Sequence, residues 1–177
     1  SFVSANILEL QIASTEFEQA KSNMQLLDDT IQDVSLRPGA GGCVQFNERE
    51  GGIGMYETAE TLSITATGGG QSNSTSYSNL AQLVYSGGSH ASAAVDPTKG
   101  YTSLDGDLGF AYVNSTQTMS FLRLEQDNGA KIKLDFARFR IVPVGLIDSQ
   151  TSLVQITFIK LVWGSFSGSG TVRVQIQ

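Results

Sequence analysis

Chemistry needs particular side chains at particular spacings, and this chain offers few. Its single histidine, His90, lies in "SGGSHASAA". A Ser-His-Asp arrangement needs that histidine to face a serine on a separate element, and a nucleophile elbow needs a strand, a sharp turn and a helix. Neither setting surrounds "GGSHA", so His90 reads as a loop residue in water. Asp105 and Asp107 flank a glycine in "SLDGDLG", with Asp96 upstream. A calcium loop takes about six to eight oxygen ligands at set offsets; those offsets are unfilled, and an ordinary Asx turn is expected. "TGGGQ" lacks the Lys-Ser/Thr of a phosphate cradle. Glu48, Glu50, Glu57 and Glu60 cluster near turns and edges, where solvated carboxylates belong. Cys43 is the lone cysteine; with one histidine it builds neither a disulfide nor a zinc site, and beside "GAGG" it reads as a small buried residue. The expectation is a protein that is no enzyme and uses no metal and no cofactor.

One modification signal stands apart. "NST" occurs twice, beginning at Asn73 and Asn114, in polar segments that read as surface. Both are candidate N-glycosylation acceptors in an exported protein.

The bulk numbers set bounds. A chain of 177 residues with 40% apolar content can bury one sizeable core. Nineteen glycines against three prolines suit many tight turns. The net charge is −6 and the 11 basic residues are scattered, so a nucleic-acid partner is not expected. No secretory leader and no membrane span is visible. The start at Ser1, not Met, reads as a processed or shortened terminus.

These residues must be held by larger elements, and the first is a helix. Val3, Ile7, Leu10, Ala13, Phe17, Ala20, Met24, Leu27, Ile31 and Val34 recur every three or four positions. That spacing is one face of a helix. "RPGAGG" ends it, because proline removes a backbone donor and glycine costs order. A helix over 1–36 is about 50 Å long at ~1.5 Å per residue. The remaining chain would form a body roughly 37 Å across, so the helix should overhang it. The overhang should be the first third, where Glu9 is the only charge through residue 13. Three arrangements fit: a helix between sheet and partner subunit, a stub of a longer membrane helix, or a coiled coil, which complementary flanking charges would be needed to favour.

The remainder, 42–177, reads as one antiparallel β-sandwich forming a structural unit with the helix, a mainly β (α+β) fold. "CVQFNE", "GIGMYE", "ETLSITAT" and "LAQLVYSG" are strand candidates. "TATGGGQSNSTSYSN" reads as a mobile loop, and loops 66–80 and 86–107 are expected to face outward. A turn is expected at Asp105-Gly106, with a strand from Leu108. Asn128-Gly129 marks a hairpin, since both residues tolerate positive φ. Beyond it Ile132, Leu134 and Phe136 alternate with polar residues; the phase flips at Ala137, predicting a bulge or a bend that switches sheets. "SLVQITFIKLVWG" is apolar on both faces and reads as a central strand. "SFSGSG" reads as a tight connection, and "TVRVQIQ" points Val172, Val174 and Ile176 inward.

A long helix, apolar first and amphipathic after, feeding a small β body resembles the type IV pilin and archaellin superfamily, especially archaeal pilin-like secreted surface proteins. "STEFEQAKSNMQLLDDTIQDV" is similar to the half of such helices that packs on the head. "LRPGAGGCVQFNEREGGIG", "LDFARFR" and "WGSFSGSGTVRVQIQ" are similar to segments of archaeal secreted proteins with such a start. The likeness implies a soluble domain lacking its N-terminal membrane segment, outside the cell, membrane-anchored or in a filament, with a structural or adhesive role. It brings no catalytic residue. The expected partners are a second copy, through an assembly face of Val3, Ile7, Leu10, Phe17, Met24, Leu27 and Ile31, or a membrane reached through a missing upstream segment, with surface glycans besides. A ligand- or carbohydrate-binding β-sandwich module, or a capsid-like shell protein, would share these features.

Overall fold

In the computed structural model the helix-period stripe forms α1 (Phe2–Leu36). The structure describes residues 2–47, 49–109, 112–114, 116–148, 151–162, 164 and 171–176. α1 stops where proline and glycine follow: the Arg37 N–H donates to Val34 O at 3.1 Å, and Gly39 takes φ of 80°, a backbone turn that glycine makes at little cost.

The strands follow as β1 (Gly42–Asn47), β2 (Gly52–Glu57), β3 (Leu62–Gly68), β4 (Gln71–Tyr77), β5 (Ala81–Ser86) and β6 (Tyr101–Asp105). The second half holds β7 (Tyr112–Val113), β8 (Phe121–Gln126), β9 (Ala130–Asp135), β10 (Phe139–Leu146), β11 (Ser152–Phe158) and β12 (Thr171–Ile176). They make a five-stranded sheet of order β2-β5-β9-β8-β6, a ribbon β1-β12, a hairpin β3-β4, and a sheet of order β11-β10-β7. All pairings are antiparallel except a short parallel contact of β7 with β10. The fold is α+β with mainly β content, a single N-terminal helix packed against several antiparallel sheets.

One core joins α1, the β1-β12 ribbon and the five-stranded sheet. Phe17, Met24 and Leu27 from the helix meet Phe46 and Val172 from the ribbon and Leu122, Ile132 and Leu134 from the sheet. Backbone closeness matters at Gly42, where a Cβ would collide with Thr30 Cγ2 of the helix. On the other face of the five-stranded sheet, Arg123, Glu125, Lys133 and Asp135 alternate with the core residues. Arg123 bonds Glu125 and Asp135 at 2.6 Å each, and Arg138 joins Asp135 at 3.0 Å. The guanidinium carbons of Arg123 and Arg138 lie 4.6 and 5.2 Å from the centroid of the Phe121 ring, shielding it from water.

The hairpin at Asn128-Gly129 is present, with φ of 49° and 114° at those residues; three residues separate the paired Gln126 and Ala130. The phase flip at Ala137 is a change of sheet: β9 ends at Asp135 in the five-stranded sheet and β10 begins at Phe139 in another. Val172, Val174 and Ile176 pack toward the core. Four expectations fail. The segment read as a mobile loop, 65–79, holds the end of β3 and all of β4, a hairpin turning on Gly69 and Gly70 with φ of 57° and 77°. β3, inside the strand candidate "ETLSITAT", is present, while β4 is polar on both faces, so no hydrophobic alternation marked it. Residues 101–105, placed in an outward loop, form an edge strand. The strand expected from Leu108 is displaced: Asp107–Gly109 is a turn and β7 begins at Tyr112. "SLVQITFIKLVWG" does not form a central buried strand; β11 is the edge of its sheet and is exposed over most of its length. Trp163 and the connection "SFSGSG" lie outside the described residues.

Candidate assembly surfaces

Two polar clamps fix α1 on the body. Glu16 Oε1 accepts backbone N–H bonds from Arg49, Glu50 and Gly51 at 3.1, 3.2 and 3.0 Å, and the Tyr85 hydroxyl donates to it at 3.0 Å. Burial pushes this carboxyl up, but the donors outweigh it and hold it below the ordinary value. Farther along, Asp28 is almost wholly buried. The Ser120 hydroxyl donates to Asp28 Oδ2 at 2.6 Å and Gln32 Nε2 to Asp28 Oδ1 at 2.8 Å. Gln32 also bonds Thr118 at 3.0 Å, and its Oε1 accepts the Met119 N–H at 3.2 Å. Burial pushes the Asp28 carboxyl up to about 6; the two hydrogen bonds pull against it, and the nearby carboxylates Asp105 and Asp29 add to the rise.

Between these clamps the predicted stripe is buried: Phe17, Met24, Leu27 and Ile31 all sit in the core. Toward the N-terminus the same stripe emerges into water. Ile7 and Leu10 are 51% and 48% exposed, and neighbouring Leu8 is 57% exposed. The side chain of Val3 lies outside the described residues. The expected assembly face is thus two surfaces: an inner part consumed by the fold and an outer part facing solvent.

A second apolar surface was not anticipated. In the β10-β11 hairpin, register pairs Phe139 with Phe158, Ile141 with Ile156 and Pro143 with Val154 on one face. The bulge between Pro143 and Gly145 brings Leu146 to that side. Leu146 is 77% exposed and Val154 51%. At its root, Tyr112 and Tyr77 lie against Phe139 and Phe158, with ring centroids 5.9 and 4.3 Å apart. The opposite face carries Arg140, Thr157 and Gln155 and is mixed. Pro143 was the readable signal, because proline within a strand belongs at an edge or a bulge, where no ladder donor is missed.

The residues screened for chemistry are dispersed. His90 is exposed in a turn. Asp105 Oδ1 accepts its neighbouring Gly106 N–H at 2.8 Å, Asp107 Oδ1 the Gly109 N–H at 3.2 Å, and Asp96 Oδ1 the Thr98 N–H at 2.8 Å. These are local turns. Among the described residues no cluster of three or more acidic, histidine or cysteine side chains could hold a metal. Glu50, Glu57 and Glu60 are exposed; Glu48 lies outside the described residues. Cys43, expected to be buried, is exposed: β1 turns Val44 and Phe46 inward, so Cys43 points out. Asn73 is exposed on β4. Asn114 is exposed too, and its Oδ1 accepts the Thr116 N–H at 2.9 Å. A groove of about 470 Å³ runs beside α1, lined by the amides of Gln11, Gln19, Asn23 and Asn47 among others.

No family model matches the chain, and neither does any curated protein or solved structure. Among the described residues no helix is long and apolar enough to cross a membrane.

Proposed function

We propose that this chain is an extracellular structural protein, the ectodomain of a membrane-anchored or filament-forming surface protein of the archaeal pilin and archaellin kind. One observation carries the reading: the helix stripe that builds the core continues past it, leaving Ile7, Leu8 and Leu10 in water. Exposed side chains cost little singly, but an ordered apolar row on a rigid rod marks a contact. The anchor in this reading is a segment upstream of Ser1. Asn73 and Asn114 stand on exposed backbone suited to glycans.

Two measurements test it. The gene product upstream of Ser1 is expected to carry about twenty apolar residues, the length that spans a bilayer; a polar linker there would sink the anchor. Intact cells treated with a membrane-impermeant amine label should modify the protein's lysines, and protection until lysis would place it inside.

The amide-lined groove favours a second reading, a carbohydrate-binding module. Amides hydrogen-bond sugar hydroxyls in both senses. Glycan-array binding lost on Gln19→Ala would support it, and a blank array would remove it.

A further inference from the structure

We infer that the overhanging start of α1 in one copy seats on the apolar face of the β10-β11 hairpin in a second copy, so that the chain associates head to tail. This rests on the reading of the chain as an assembling structural protein and names its partner.

Each copy holds half of an interface that it already uses elsewhere. From Ala13 to Ile31 the stripe of α1 lies on strands and is buried. Ile7 and Leu10 continue that same stripe with no sheet beneath them. The β10-β11 hairpin is the converse, a sheet face without a helix. Ile141, Pro143, Leu146, Val154 and Ile156 line it, with Ser152 opposite Leu146, and among the described residues no charged side chain interrupts it. Such a face needs an apolar layer against it.

The dimensions agree. Residues 2–12 make a rod about 16 Å long. The hairpin face from Ile141 to Leu146 extends about 17–20 Å at ~3.3 Å per residue. The two surfaces cannot satisfy each other within one chain. The hairpin root is tied to the far end of the helix: Arg140 donates to Gln117 O at 2.7 Å, and Thr118 bonds Gln32. Gln32 lies about 33 Å along the helix axis from Leu10. Two different patches at separate ends give a heterologous contact, which repeats from copy to copy, as a ring if its rotation closes and as an open chain if it does not. The strip is smaller than the ~800 Å² per partner of a standard stable complex, so association should be weak and rise with concentration.

Cysteine cross-linking of the 177-residue chain tests the pairing. In a Cys43→Ser background, Leu10→Cys and Val154→Cys are prepared separately and mixed under mild oxidation. Both sites are exposed, so melting should match the parent. The expected product is the mixed Leu10→Cys/Val154→Cys disulfide dimer, about tenfold over either like-with-like dimer, equivalent to ~1.4 kcal/mol. A chain carrying both substitutions should give a ladder of dimers, trimers and longer species. Leu10→Cys dimers in excess would overturn the inference, pointing to helices bundling together while leaving the assembly reading intact. Val154→Cys dimers in excess would overturn it in favour of stacked hairpins. No cross-link at millimolar protein would also overturn it; surface labelling of cells then decides separately whether the chain is an anchored, non-assembling ectodomain.

Discussion

The two parts of α1 carry one stripe and meet opposite fates. From Ala13 to Ile31 its apolar residues are buried against β1, β12 and the five-stranded sheet. From Ile7 to Leu10 equally apolar residues face water. Periodicity therefore says which way a helix face points, not what lies opposite it. What differs is on the partner side. The docked part has the Glu16 and Asp28 clamps and a sheet face at packing distance. The overhang has neither, although nothing in its own spacing changes. The two projecting hairpins repeat the contrast. β3-β4 is mostly polar: Ser63, Thr65 and Thr67 hydroxyls pair across to Ser76, Ser74 and Ser72 on one face, while Leu62 and Ile64 on the other are already buried or half-buried, so it needs no further cover. β10-β11 is apolar on one face and does need it.

Breaking the docked part should have the largest effect. Phe17→Asp places an unpaired carboxylate where the ring is 3% exposed, beside Tyr85. Lost packing and a buried charge together should cost about 4 kcal/mol or more. Chemical denaturation should show a chain largely unfolded or strongly destabilised; an unchanged midpoint would mean that the helix does not dock there. Met24→Ala, with no exposed surface in the parent, should cost about 2–5 kcal/mol through the cavity it leaves.

The Asp28 clamp should work in the other direction. Its pKa rises from 3.8 to about 6 on folding, corresponding to about 3 kcal/mol at ~1.36 kcal/mol per pH unit. The folded chain holds this proton more tightly than the unfolded one. The contribution to stability is full below about 3.8 and is lost as pH rises through about 6. At pH 7 the site holds an ionised carboxylate at a penalty. Asp28→Asn keeps the shape: its oxygen accepts from Gln32, its amide donates to Ser120, and the Ser120 hydroxyl turns its proton to Thr118 Oγ1 at 2.8 Å. The variant should melt higher at pH 7, by as much as about 6–12 °C for a domain of this size. The gain should shrink toward pH 4.5. A gain independent of pH, or a loss at pH 7, would refute the assignment. The Glu16 clamp should show a smaller effect. Glu16→Gln keeps an acceptor but loses the charge, and should cost about 1 kcal/mol.

The sequence carried the helix, its stop, the Asn128-Gly129 hairpin and the change of sheet at Ala137, because each has a local cause: a period, a proline, a positive φ, a phase flip. β3 was legible in "ETLSITAT", but its partner β4 was not, for a physical reason. Strands can be held by backbone ladders and hydroxyl pairs alone, and such strands bear no hydrophobic alternation. β11 was misread for the opposite reason. Apolarity on both faces implies burial only when something covers them, and cover is a property of the whole fold. The clamps were hidden as well: Glu16 and Asp28 look like ordinary surface acids on a helix, and only tertiary closure puts donors around them.

The smallest expected effect is the most telling about the overhang. Leu10→Asp introduces the same charge as Phe17→Asp, two turns away on the same stripe. If the overhang takes no part in the fold of a single copy, the monomer should melt within ~0.5 kcal/mol of the parent, since the new carboxylate stays in water. Deleting residues 1–11 should likewise leave the core folded, because the first buried stripe residue is Ala13. Measured in dilute solution, where copies do not meet, these results isolate the fold from assembly. A loss comparable to that of Phe17→Asp would show that residues 5–12 find cover within one chain, and the stripe would then have one fate instead of two. If dilute protein is indifferent to the change while concentrated protein is not, the same leucine does nothing for the fold and something for the contact, which is the behaviour expected of a surface kept apolar for a partner.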